Sequence, residues 1–312
     1  MLVNYFDIFF FKKKVNLCKK KGGIRAVACF FVGFCAFYLY FTPQPDEFVY
    51  AAPFFERLPS PSLPASAHIV VLQIDEKNTP HCTLAFFSWI KYAKAHNYML
   101  HWVTQPREKY SAKIQKYVEL ENIFNKVPEN TLVLLADCDI IVTNLKTRME
   151  TVWKASSKNS QTSLILSRDP AWKSHSKYIP INSGFLLFKN TYWSRALVSA
   201  VISHGPVTGH WRQGNLVDQP ILTKILIEQK ELLPSTAPRE REHNGEYTSV
   251  VSNRVMNSFY RSFLFFDSND VCWRKGDWVA HVSGDVWILK ILGLARRNRI
   301  MRVKQMLRLI ET

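Results

Sequence analysis

From His68 onward the apolar and polar positions switch between a two-residue and a helical period. His68–Ile74 (HIVVLQI) reads as a strand. Thr83–His96 has helical spacing, with Ala85, Trp89, Tyr92 and Ala93 on one face. Met99–Val103 reads as a second strand. Ala112–Val127 predicts a second helix whose apolar face is Ile114, Tyr117, Val118 and Phe124, closed by Pro128-Glu129-Asn130. The continuous apolar run Leu132–Ala136 is too short for a typical helix and has the pattern of a strand buried on both faces. This β-α-β-α-β order predicts a parallel sheet with right-handed crossovers.

Further along, Leu145–Ser156 reads as a short helix, and Ser163–Ser167 and Ile181–Phe188 as strands. Thr191–His204 and Val217–Glu228 read as helices. Residues 230–254 are polar and irregular, and Trp278–His281 reads as a short strand. Residues 290–312 form a basic helix, read as a solvated surface element. No internal repeat is visible.

The N-terminal quarter follows another pattern. Residues 1–25 are a basic tail, and residues 26–42 hold the uncharged run AVACFFVGFCAFYLYF. That run is near the short end of a membrane-spanning helix, which needs about 17–25 apolar residues. Lysines precede it; Asp46 and Glu47 follow it. The positive-inside bias therefore leaves the tail cytosolic and predicts a single-pass type II signal anchor. Residues 43–67 carry six prolines, Pro43, Pro45, Pro53, Pro59, Pro61 and Pro64, which makes them an extended, semi-rigid stem. A body over residues 68–289 is expected beyond it.

The net charge of +16 suggests nucleic acid until it is located. Residues 1–25 and 290–312 each contribute +6, leaving +4 for everything between them. A nucleic-acid-binding body would interleave basic residues with the fold, so no nucleic-acid partner is expected. The cysteines show no zinc-type spacing. Cys82 and Cys272 are a candidate disulfide pair, while Cys138 reads as a small filler.

Candidate chemistry begins at the end of the Leu132–Ala136 strand. Asp137 and Asp139, one residue apart, put two hard oxygen ligands on a turn, where ligands of open α/β sheets bind. They suit a divalent cation that also takes substrate phosphates. An Asx-type turn without a metal is the plainer reading of the same residues. No Gly-rich phosphate loop is present, which excludes a dinucleotide fold and a P-loop. Asn182-Ser183-Gly184 precedes an apolar run; Gly184 permits close backbone approach, and Asn182 offers both donor and acceptor. Asp218-Gln219 opens a helix, where it reads as a cap or as a sugar-site pair. His281 ends a strand, with Gly284 three residues on; its imidazole would suit Mn²⁺ in a mixed oxygen/nitrogen shell.

The ordered motifs LLADCDIIVTN, INSGFLLFKNTYWS, VDQPIL and GDWVAHVSG resemble the GT-A fold glycosyltransferases. They are most similar to the retaining family of fungal galactosyl- and mannosyltransferases and plant xyloglucan xylosyltransferases. The resemblance implies a Rossmann-like, mostly parallel sheet flanked by helices, behind a Golgi membrane anchor and stem with the catalytic domain luminal. It implies Mn²⁺ or another divalent cation on Asp137, Asp139 and His281. It implies a UDP- or GDP-sugar donor at Lys113, Asp137, Asp139, Asn182, Gly184 and Gly284, with Asp218 and Gln219 as the catalytic pair. The partners implied are the nucleotide sugar, a glycan or glycoconjugate acceptor and the membrane. Self-association, or association with other glycosyltransferases, fits the same class. One departure is that HVSGDVW, after the late histidine, carries no lysine. Two alternatives stay open: a haloacid-dehalogenase-like phosphatase using the Asp137 pair, and a catalytically inactive relative that binds sugar nucleotide.

Overall fold

The structure is a computed structural model, and it describes residues 67–72, 80–104, 112–169, 181–205, 218–232, 245–259 and 272–282. All of these belong to the compact unit Pro61–Thr312. The expected tail, anchor and C-terminal helix lie outside the described residues, as do the stem up to residue 66, Gly284 and the segment after Val282. Among the described residues no helix is long and apolar enough to cross a membrane.

A six-stranded sheet organises the body, in the order β2-β1-β3-β6-β5-β7. The strands are β1 (Ala67–Leu72), β2 (Met99–Val103), β3 (Leu132–Asp137), β5 (Leu164–Arg168), β6 (Ile181–Lys189) and β7 (Thr248–Val251). β1 pairs in parallel with β2 and β3, and β5 in parallel with β7. The expected parallel β-α-β-α-β half is therefore present. β6 is the exception: it runs antiparallel to both β3 and β5. Five strands point one way and β6 points back. Its polar entry, Asn182-Ser183-Gly184, therefore meets the polar exit of β3, with Phe185 opposite Ala136.

Both faces of the sheet are buried, which is why its central strands read as unbroken apolar runs. Helix α1 (Pro80–His96) covers one face, where Trp89, Tyr92, Phe185 and Trp278 share a core. On the other face α2 (Ala112–Phe124), α4 (Tyr192–His204) and α5 (Asp218–Glu228) pack Tyr117, Phe124, Phe188, Leu197 and Leu222 together. The expected apolar faces of both early helices are buried. α1 ends in a left-handed residue, Asn97 (φ 56°), and the Tyr98 amide returns to the Ala93 carbonyl at 2.9 Å. This closure satisfies a carbonyl of the last turn and aims the chain into β2. Helix α3 (Met149–Ser156) is shorter than the expected Leu145–Ser156.

A second, three-stranded sheet has the order β4-β9-β8, from Ile140–Val142, Val279–His281 and Ser258–Phe259. β4, β7, β8 and the short helix α6 (Asn253–Met256) are not visible in the apolar pattern. Each is four residues or fewer and held by distant partners. β4, for instance, is held by α1: the Trp89 indole donates to the Ile140 carbonyl at 2.9 Å, and the Ser88 hydroxyl accepts from the Val142 amide at 3.1 Å.

The disulfide expectation is corrected. Cys82 bridges Cys138, and Cys272 remains a buried thiol. Cys138 is thus no filler: it ties the turn between Asp137 and Asp139 to the first turns of α1, because β4 lies along that helix. The bridge closes a 56-residue separation. Reduction, or a Cys82→Ala/Cys138→Ala double variant, is expected to lower stability by about 2–5 kcal/mol, measured by thermal or denaturant unfolding.

Candidate active site

The site forms where β3 ends, β6 begins, and the N-termini of α2 and α5 converge. At its centre is a residue the motif reading passes over, Lys116. Its side chain is fully buried, 0% exposed, on the otherwise apolar inner face of α2. Its ammonium group lies 3.2 Å from Asp137 Oδ1, 2.6 Å from Asp218 Oδ2 and 2.8 Å from the Ser183 carbonyl. Each of its three N–H bonds therefore has an acceptor. Burial alone would push the lysine down, but Asp137 and Asp218 outweigh it and hold the ammonium above its ordinary value. For Asp218 burial works upward; Lys116 foremost, then Lys113, reverses this and leaves the carboxyl below the usual carboxylate range. Lys116 and Asp218 are thus held as an ion pair.

Lys113, one turn earlier on α2, approaches the other oxygen of Asp137 at 3.6 Å and is 34% exposed. Of the two lysines, the sequence reading named the outer one. A lysine between Ile114 and Tyr117 on a buried helix face was the available signal for the inner one.

A chain of hydrogen bonds then runs across the site. The Ser183 hydroxyl donates to Asp218 Oδ2 at 2.8 Å, and the Ser183 amide to Gln219 Oε1 at 3.2 Å. Gln219 Nε2 donates to Asp169 at 2.6 Å. Asn182 Nδ2 approaches the same Asp169 oxygen at 3.5 Å, and Asn182 Oδ1 accepts from the Gly184 amide and from Asn257 Nδ2, both at 2.9 Å. Asn257 Oδ1 faces His281 Nδ1 at 3.0 Å. Asp169 and Asn257 are site residues that sequence reasoning missed, and Ser183 was given no role within the motif that holds it. Asn257 lies just past a stretch that reads as irregular, and nothing local marks it.

Asn257 orients the histidine ring. Its amide nitrogen is committed to Asn182, so its oxygen takes the Nδ1–H of His281. This turns Nε2 toward Asp139 Oδ1, 3.3 Å away. That spacing is spanned either by a hydrogen bond from Nε2–H to the carboxylate or by a metal ion that both atoms ligate. Two ligands at right angles around a cation, each about 2.1 Å from it, stand roughly 3 Å apart, so the pair fits a divalent metal. A backbone link fixes the spacing: β4 and β9 pair Ile140 with His281, and the Val282 amide donates to the Asp139 carbonyl at 2.9 Å. The Phe259 ring stacks on the imidazole at 4.6 Å. Of the three expected metal ligands, Asp139 and His281 are together, while Asp137 is engaged by the lysines. Among the described residues no group of three His, Cys, Asp or Glu side chains is assembled for a metal.

Gly184 lies between these groups. A Cβ there would stand 3.0 Å from Asn182 Oδ1, 3.1 Å from Asp137 Oδ2 and 3.1 Å from His281 Cε1. Its requirement is space, not an unusual φ. Gly184→Ala is expected to cost about 1–3 kcal/mol of stability by overpacking and to push Asp137 and His281 apart. Denaturant unfolding and a Mn²⁺ titration on the same variant check both effects.

No family model matches the chain, and no curated protein matches it. Among solved structures, it aligns with a glycosyltransferase involved in glycosylation of the major capsid of PBCV-1. The TM-score is 0.52 at 13% identity, covering 77% of this chain and 100% of that one. The body has the GT-A glycosyltransferase fold. Galactosyltransferase LgtC aligns at TM-score 0.42 and 13% identity, over 74% of this chain and 95% of LgtC. Mouse xyloside xylosyltransferase 1 aligns at 0.39 and 12%, over 72% of this chain and 98% of that one.

Proposed function

We propose that this protein transfers a hexose or pentose from a UDP- or GDP-sugar to a glycan or glycoconjugate acceptor, with retention at the anomeric carbon. The observation that carries this reading is the pair Asp139 Oδ1 and His281 Nε2, 3.3 Å apart, one strand end from the Lys116-bridged carboxylates. The first is a cation position for a diphosphate; the second is a set of fixed charges for a sugar that becomes cationic as it departs. Mn²⁺ or a similar ion, held by Asp139 and His281 with Asp137 beside them, would supply Lewis-acid neutralisation of the leaving diphosphate.

The remaining roles belong to the chain. Asp218 is 2% exposed, and one of its oxygens already takes both Lys116 and the Ser183 hydroxyl. It acts as an oriented negative charge beside the sugar and not as a covalent nucleophile. Gln219 has both ends of its amide engaged, so it holds Ser183 and Asp169 in register around the sugar position. Asn182 and Gly184 form the floor on which the donor lies. Asn257 holds His281 with its Nε2 toward Asp139.

The Cys82–Cys138 bridge supports an oxidising compartment. It agrees with the expected type II anchor at 26–42, the stem at 43–67 and a Golgi luminal body. The test is a thermal-shift panel of UDP- and GDP-sugars on the full chain in detergent, with and without Mn²⁺. One donor series is expected to raise the melting temperature only with Mn²⁺; ligand at a hundredfold its Kd contributes about 2.7 kcal/mol. No shift across the panel would overturn the proposal. A shift without sugar transfer to any acceptor would mark an inactive, donor-binding relative.

A further inference from the structure

The two lysines on α2 differ in how firmly they are held. Lys116 is fully buried, with three acceptors around its ammonium group. Lys113 is one-third exposed, at the mouth of the site, and reaches Asp137 from 3.6 Å. Together they place a positive charge against each oxygen of Asp137, whose outer oxygen also borders Gly184. Two carboxylates, Asp137 and Asp218, are thus held against two ammonium groups, while Asp139 faces His281. A divalent cation that recruits Asp137 must displace Lys113, since Lys116 cannot move without stranding Asp218.

We propose that Lys113 is an exchangeable counter-ion: it occupies Asp137 while the site is empty and swings to the donor's diphosphate once a cation takes that carboxylate. Its flexible four-carbon stem and strongly hydrated ammonium suit such a transfer. The consequence is a split in sign. Lys113 opposes binding of the cation alone, by occupying and repelling, and favours binding of the diphosphate that follows. This inference rests on the donor reading above.

Calorimetric titration of the full chain in detergent tests it, comparing wild type with Lys113→Met and the charge-conserving Lys113→Arg. The first titrant is Mn²⁺ alone; the second is UDP or GDP at saturating Mn²⁺. Lys113→Met is expected to bind Mn²⁺ about three- to tenfold more tightly and the nucleoside diphosphate about three- to tenfold more weakly, the size expected for one partly screened charge near 4 Å. Lys113→Arg is expected to stay near wild type in both titrations. Shifts of the same sign, or no shift, in Lys113→Met overturn the exchange while leaving the donor reading intact. If wild type takes up neither Mn²⁺ nor either nucleotide, the donor reading fails and the exchange fails with it.

Discussion

Lys116→Met is expected to destabilise the fold by about 3–5 kcal/mol, the range for removing one partner of a buried ion pair. The substitution keeps most of the side-chain volume, so the loss is electrostatic. Asp218, buried at 2% exposure, and the inner oxygen of Asp137 would lose their counter-charge. Denaturant unfolding measures the loss. Adding Asp218→Asn is expected to recover part of it, and the double-mutant cycle isolates the Lys116–Asp218 coupling. A loss below about 1 kcal/mol would show that the triad is not a buried ionic cluster. The same cluster sets an acid limit. Asp218 lies below the usual carboxylate range when folded, so its contribution is present in full above its unfolded pKa, about 3.9. It is lost as pH falls through the lower folded value. Acid unfolding of wild type should therefore show a low-pH decline that the Lys116→Met variant lacks.

Asp139→Ala is expected to lower sugar transfer by orders of magnitude while leaving the fold intact. Asp139 is 16% exposed at the end of the site, so removing its carboxylate opens no sealed core cavity and the melting temperature should change little. What disappears is half of the cation position. A cation at a departing diphosphate is worth several kcal/mol, so the expected fall in rate is roughly a hundred- to a thousandfold. Mass spectrometry of a glycan acceptor after incubation with the donor identified by thermal shift reads the product. Undiminished transfer would remove Asp139 from the metal site and the metal from the reaction. The contrast with Lys116 is informative: one variant should unfold readily, the other should remain folded and largely inactive.

The sequence determined most of the regular frame. The run Leu132–Ala136, the helical faces of Ala85, Trp89 and Tyr92 and of Ile114, Tyr117 and Phe124, and the strand at Met99–Val103 are local patterns. Two periodicities and the punctuation of Pro128 and Asn130 are enough to place them. The carboxylate turn at Asp137 and Asp139, Asn182-Ser183-Gly184, Asp218-Gln219 and His281 were legible as polar residues at element ends.

The tertiary structure decided how these pieces meet. The reversal of β6 brings Gly184 against Asp137. The pairing of β4 with β9 places His281 at Asp139 across more than a hundred residues. Asn257 orients that histidine, Cys138 rather than Cys272 bridges Cys82, and Lys116 rather than Lys113 forms the buried core of the site. Strand direction, bridge partner and the sharing of a buried charge are set by contacts between distant segments. A local pattern records which face of an element is buried, but not which residue waits on the other side.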